Sequence, residues 1–161
     1  MTVTNIAKNL DDLTMTITAE FPAQIARVWE LWSDPRKLER WWGPPTYPAT
    51  MVDFDLTPGG TVNYFMTGPE GQHSGGWWRV TAVDAPNSLE FEDGFADEKG
   101  NPDPKLPTTV TKVTLSERPH GGTLMSISTK WASLDSMKQM IEMGMEAGMA
   151  AAMGQMDELL A

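Results

Sequence analysis

Tryptophan, tyrosine and methionine supply most of the chemistry this chain has to offer. Trp41-Trp42 stand side by side before Gly43-Pro44-Pro45, and Trp77-Trp78 form a second pair inside a strand-like run. An indole presents a large apolar face and one N–H donor, which suits an apolar molecule with a single polar handle. Seven of the 12 methionines fall between Met137 and Met156. Their unbranched, polarizable side chains can reshape around different apolar partners. The same stripe also serves as ordinary helix packing, and the two readings are compatible because a cavity wall is also core.

Ionisable candidates are sparse. Asp93, Asp97 and Asp103 invite comparison with a calcium loop, which wants oxygen donors at positions 1, 3 and 5 and glycine at 6. Here Phe95 and Glu98 occupy the third and sixth positions, so the acids read as a solvated loop run and no metal site is expected. His73 and His120 each stand alone in turn segments. With no cysteine, thiolate nucleophiles, disulfide scaffolds and thiolate zinc sites are excluded. There is no Gly-x-Ser-x-Gly elbow, phosphate loop or dinucleotide fingerprint, so no catalytic residue and no cofactor is assigned. Glu90 and Glu92 alternate with Leu89 and Phe91, and Arg79 with Trp78 and Val80, so all three should face outward. The reverse parity would carry Arg79 and Glu92 inward, where burial shifts ionisation toward catalytic use.

These residues need a scaffold. The 161 residues suit one domain, 1–161, with a core of about 13–160. A chain of this length buries roughly 70% of its unfolded surface and needs no staple. Twelve basic against 22 acidic residues leave a net charge of −10, which argues against nucleic acid or an anionic membrane as partner. Met1 to Asp12 lacks the basic-then-apolar pattern of a signal peptide, and no apolar run approaches the ~20 residues of a membrane span. A cytoplasmic protein is expected.

Leu13, Met15, Ile17, Ala19 and Phe21 alternate with polar residues, the period of a half-buried strand. Ile25, Val28, Trp29 and Trp32 then share one helical face, and Ser33-Asp34-Pro35 starts a second short helix running to about Arg40. From residue 50 to 131, Gly- and Pro-rich turns separate six strand-like runs: Met51 to Asp55, Thr61 to Thr67, Gly75 to Val83, Ser88 to Phe95, Thr109 to Glu117 and Thr123 to Trp131. Ser133 caps a final helix of about 28 residues, whose positions Ile141, Met145, Met149, Met153, Met156 and Leu160 lie on one face. Within that helix, Gly144-x-x-x-Gly148 could allow close approach to the sheet or leave space for a ligand.

That order, with Phe21-Pro22-Ala23, Val28-Trp29, Asp34-Pro35, Trp41-Trp42-Gly43-Pro44, Pro58-Gly59-Gly60 and Gly121-Gly122-Thr123 at its joints, resembles the SRPBCC superfamily over about Leu13 to Leu160. It is most similar to the subgroup related to the activator of the heat-shock chaperone ATPase. The resemblance implies an α+β helix-grip fold. A seven-stranded curved antiparallel sheet would wrap around a long C-terminal helix, with two short helices after the first strand and a cavity between sheet and helix. It also implies a cavity used for apolar molecules, as in binding members and some enzymes, or a domain that contacts a chaperone or other protein. The methionine-rich last helix departs from the Leu and Trp expected of relatives.

Three functions follow. The first is binding of a small apolar or aromatic molecule. Its contacts would be Trp41 and Trp42 at the mouth, Tyr64, Met66, Trp78, Phe91, Met125 and Ile127 on the inner face, and Met145, Met149 and Met153 on the helix. Trp29, Trp32 and Trp131 are expected to be structural filling. The second is a protein-interaction domain that stimulates a heat-shock ATPase. The third is a cyclase- or dehydratase-type enzyme, which needs at least two ionisable groups inside the cavity. Monomer and homodimer both remain open. Met137, Met140 and Met143 lie off the main stripe and would be exposed or line a partner contact.

Overall fold

A computed structural model describes residues 2–161. The expected domain start at Met1 lies outside the described residues. The strands are β1 (Thr2–Asn9), β2 (Thr14–Phe21), β3 (Ala49–Phe54), β4 (Thr61–Thr67), β5 (His73–Asp84), β6 (Ser88–Ala96), β7 (Thr109–Glu117) and β8 (Thr123–Trp131). They form one curved, wholly antiparallel sheet in the order β1-β2-β8-β7-β6-β5-β4-β3. Helices α1 (Ile25–Ser33) and α2 (Pro35–Leu38) link β2 to β3, and α3 (Leu134–Glu142), α4 (Met145–Met153) and α5 (Met156–Leu160) close the chain. The α+β helix-grip architecture is as the sequence implied.

Strict alternation places the core. Met15, Ile17, Ala19 and Phe21 of β2 are buried, as are Met125, Ile127 and Trp131 of β8 and Val113 and Leu115 of β7. Met137, Met153, Met156 and Leu160 from the last helices join the same cluster, so each layer covers the apolar face of the other. Asp34 caps α2 by accepting from the Arg36 N–H at 2.9 Å, with Pro35 in the first turn. Trp41, Trp42 and Leu38 then turn inward.

The structure departs from expectation in two places. The sheet has eight strands rather than seven, because Thr2–Asn9 pairs with β2 as an edge strand. Its apolar residues Val3 and Ile6 both pack against the core, but a register shift between Val3 and Asn5 breaks the two-residue period that would have revealed it. The long C-terminal helix is also three segments. Gly144 adopts φ 88, the left-handed region, and stops α3 before α4 begins. The second joint is pinned to the loop after the Trp pair, where the Gln155 amide donates to the Gly43 carbonyl at 2.6 Å.

The two cavity-side glycines of the last helices therefore play different parts. A Cβ would meet nothing within 4 Å at either Gly144 or Gly148. At Gly144 the cost of a side chain is backbone strain alone; at Gly148, inside α4, there is none. Gly144→Ala should lose about 1 kcal/mol of stability and Gly148→Ala should gain ~0.5–1 kcal/mol, measured by chemical denaturation. A stabilising Gly144→Ala would show that the break is not set by this residue.

Candidate functional site

Between the sheet and the broken helix lies a cavity of about 250 Å³, partly open to solvent. Trp42 and Pro44 supply one side, Tyr64 and Met66 of β4 another, and Asp93, Gly94 and Phe95 of β6 the floor beside Thr109 of β7. Met140, Met143, Met145 and Met149 form the helical wall, with Gly144 and Gly148 between them. The glycines thus leave space over the cavity rather than bring α4 close to the sheet. A wider, more polar depression adjoins it, sharing Tyr64, Phe95 and Met143.

Of the residues singled out from the sequence, Trp42, Tyr64, Met66, Met145 and Met149 line this cavity. Trp78 and Phe91 lie beneath it, fully buried and stacked face to face with centroids 4.0 Å apart. Trp41 is core, its N–H donating to the Leu31 carbonyl at 2.8 Å. Met125, Ile127 and Met153 are also core residues and do not line the cavity. Met137 is buried and Met140 and Met143 border the cavity, although Met143 is more than half exposed. Trp78 and Val80 face inward and Arg79 outward, where it lies opposite Glu92 on the neighbouring strand.

An aromatic slab supports one end of the cavity. Trp42 meets Trp78 edge to face at 4.9 Å and Tyr64 at 6.2 Å, and Trp32 and Trp41 extend the cluster behind them. The Tyr64 ring lies directly over Gly76, where a Cβ would come within 2.3 Å of the phenol. Glycine at that cross-strand position is what lets the ring settle against the sheet. The indole N–H groups of Trp32, Trp42 and Trp78 are buried and have no hydrogen-bond partner among the described residues. Those of Trp42 and Trp78 lie close enough to the Tyr64 hydroxyl to favour its ionised form without reaching hydrogen-bond geometry. Burial and the charge of Asp93 act more strongly the other way and hold the phenol well above its ordinary range, so Tyr64 is a neutral donor.

Asp93 corrects the sequence reading. It is no solvated loop acid but a residue of β6 on the same face as Leu89 and Phe91, lining the cavity. The Thr109 hydroxyl, opposite it on β7, donates to its carboxyl group. Burial pushes this carboxyl up to about 7, with the Glu92 charge adding to the effect; the Thr109 bond and Asp93's own backbone N–H oppose it. The period-two argument that placed Leu89 and Phe91 inside already pointed to Asp93 two residues on. Asp97 and Asp103 instead cap turns, accepting from the backbone N–H groups of Lys99 and Lys105. Among the described residues no cluster of three or more histidine or acidic side chains could hold a metal. Nor is any helix long and apolar enough to cross a membrane.

A curved antiparallel sheet gripping a C-terminal helical segment, with a cavity between them, defines a protein of the SRPBCC superfamily. Residues 22–161 match the family described as Activator of Hsp90 ATPase homolog 1-like protein, and the chain belongs to it. A crystal structure of a Mycobacterium smegmatis protein is 48% identical, with a TM-score of 0.92, covering 99% of this chain and 98% of that one. A solution structure from Arthrobacter aurescens is also 48% identical, with a TM-score of 0.94 over 99% of this chain and 92% of its own. A Staphylococcus epidermidis protein is 28% identical at a TM-score of 0.83, covering 96% and 92%. No curated protein matches the chain. Domains of this fold are typically ligand-binding domains.

The raised Asp93 carboxyl makes stability depend on pH. The folded state holds this proton up to about pH 7, whereas the unfolded chain releases it near the ordinary carboxyl value of 3.8. Its contribution is therefore fullest below pH 4 and is lost as pH rises through 7. Asp93→Asn should remove that decline and stabilise the protein at pH 8 by about 2 kcal/mol, allowing for cavity water. Thermal unfolding from pH 4 to 8 measures it; parallel curves for the two proteins would place Asp93 in contact with bulk solvent.

Proposed function

We propose that this protein binds one small apolar or aromatic molecule carrying a polar group in the cavity between β4, β6 and the methionine wall. The observation that carries this reading is the juxtaposition, in one partly open space, of five methionines with Trp42, Tyr64 and Asp93. Apolar walls with a few convergent polar groups are the usual form of a small-molecule site. Native mass spectrometry after incubation with extract of the source organism should show an added mass that is lost on denaturation. Met149→Trp, which fills the cavity, should abolish it. Tyr64→Phe should weaken it about tenfold, the worth of one hydrogen bond. Bare protein across all extracts would overturn the proposal.

A second reading is favoured by one specific feature. Two ionisable groups, Asp93 and Tyr64, share the cavity, and a carboxyl that titrates near neutrality can give or take a proton at working pH. The same experiment separates this from binding alone. An adduct whose mass changes during incubation with the wild type, but not with Asp93→Asn, would make Asp93 a general acid or base. A protein-interaction role rests on the family's name alone.

A further inference from the structure

The charge inside the cavity is one-sided. Among the described residues Asp93 is its sole acidic lining residue, and no lysine, arginine or histidine lines it. Among the described residues no ion pair engages Asp93, and the Thr109 hydroxyl is the one side chain bonded to its carboxyl group. An ionised carboxylate offers about four acceptor sites, so with the Thr109 hydroxyl and its own backbone N–H engaged about half of its capacity is unused. The rings of Trp42 and Tyr64 border the same cavity nearly perpendicular to each other, at 87° with centroids 6.2 Å apart. Polarizable thioethers of Met66, Met145 and Met149 complete the enclosure. Indole and phenol faces attract organic cations, and a carboxylate deep in an apolar site attracts them further. The net charge of −10 steers cations toward the protein and anions away.

We propose that the occupant of this cavity is an organic cation, a small amphipathic molecule whose ammonium group lies against Asp93, Trp42 and Tyr64 and whose apolar part rests on the methionine wall. This rests on the cavity being a ligand site and adds the class of ligand. An anion would meet Asp93 uncompensated, and a neutral molecule would leave the carboxylate without a counter-charge. The titratable group that acts on Asp93 is Glu92 beside it, and Asp93 in turn acts on Tyr64, which shares the cavity. Tyr64 stays protonated throughout the neutral range, so the proton that competes with the cation is that of Asp93.

The test compares phenyltrimethylammonium, which has no proton to lose, with its neutral isostere tert-butylbenzene, using tryptophan fluorescence on the full chain. At pH 8 the wild type should bind the cation at least tenfold more tightly. Lowering the pH to 5.5 should weaken the cation at least tenfold and should not weaken the hydrocarbon. Asp93→Asn at pH 8 should do the same, with hydrocarbon binding retained or strengthened as the check that the cavity is intact; the pH series on the wild type needs no variant. Equal affinities for the two probes, or a cation preference that survives in Asp93→Asn, would overturn the inference while leaving the cavity as a ligand site. Binding of neither would overturn both.

Discussion

The alternation of β6 governs the character of the site. Leu89 and Phe91 must be buried, because Phe91 stacks on Trp78 at the centre of the sheet and Leu89 sits in the same core. A strand has a period of two, so the next residue on that face is Asp93. A one-residue slip would rescue the carboxyl but would expose Leu89 and Phe91, a loss of several kcal/mol of apolar burial. Register is therefore fixed by the hydrophobic pair, and the acid is carried inward with it. Thr109 on the neighbouring strand lies directly opposite and supplies a hydroxyl, which eases the burial without neutralising it.

The last helices respond to the same constraint from the other side. A continuous helix from Ser133 would lay an unbroken stripe of side chains across the sheet. The break at Gly144 interrupts the stripe where the cavity lies, and Gly148 keeps the next turn free of a side chain. Methionines flank the gap, while Met153 and Met156 seal the core beyond it. Flexible thioethers tolerate a space of variable filling better than branched residues do. The Gln155 bond to Gly43 ties the far end of α4 to the loop that carries Trp42, so both walls share one anchor.

Much of this was legible in the sequence. Seven strands, both short helices and the inner faces of β2, β4, β6 and β8 follow from period-two patterns and turn residues, because those patterns report burial directly. The N-terminal strand escaped because its bulge puts Val3 and Ile6 three apart. The helix break escaped because methionine periodicity continues across Gly144, and a left-handed glycine leaves no mark on side-chain spacing. Trp41, Met125, Ile127 and Met153 show the limit of facing arguments. Facing inward is a property of the strand or helix, whereas bordering a cavity depends on where the opposing layer withdraws. Asp93 was hidden by its type, since an acid near a Gly- and Pro-rich segment suggests solvent even when its parity says otherwise.

The cavity also concentrates unsatisfied groups. The indole N–H groups of Trp42 and Trp78 lie buried without partners, close to a neutral Tyr64 and a carboxyl that is reluctant to ionise. Each unpaired buried donor costs about 1–3 kcal/mol relative to a satisfied one. A sequence shaped for stability alone would fill this space with apolar side chains, as the rest of the core does. Whatever occupies the cavity and pairs with the lining groups Trp42, Tyr64 or Asp93 recovers part of that cost in the folded state and nothing in the unfolded chain, so occupancy and stability are thermodynamically linked. The polar groups that weaken the empty fold are then the ones that give the site its discrimination.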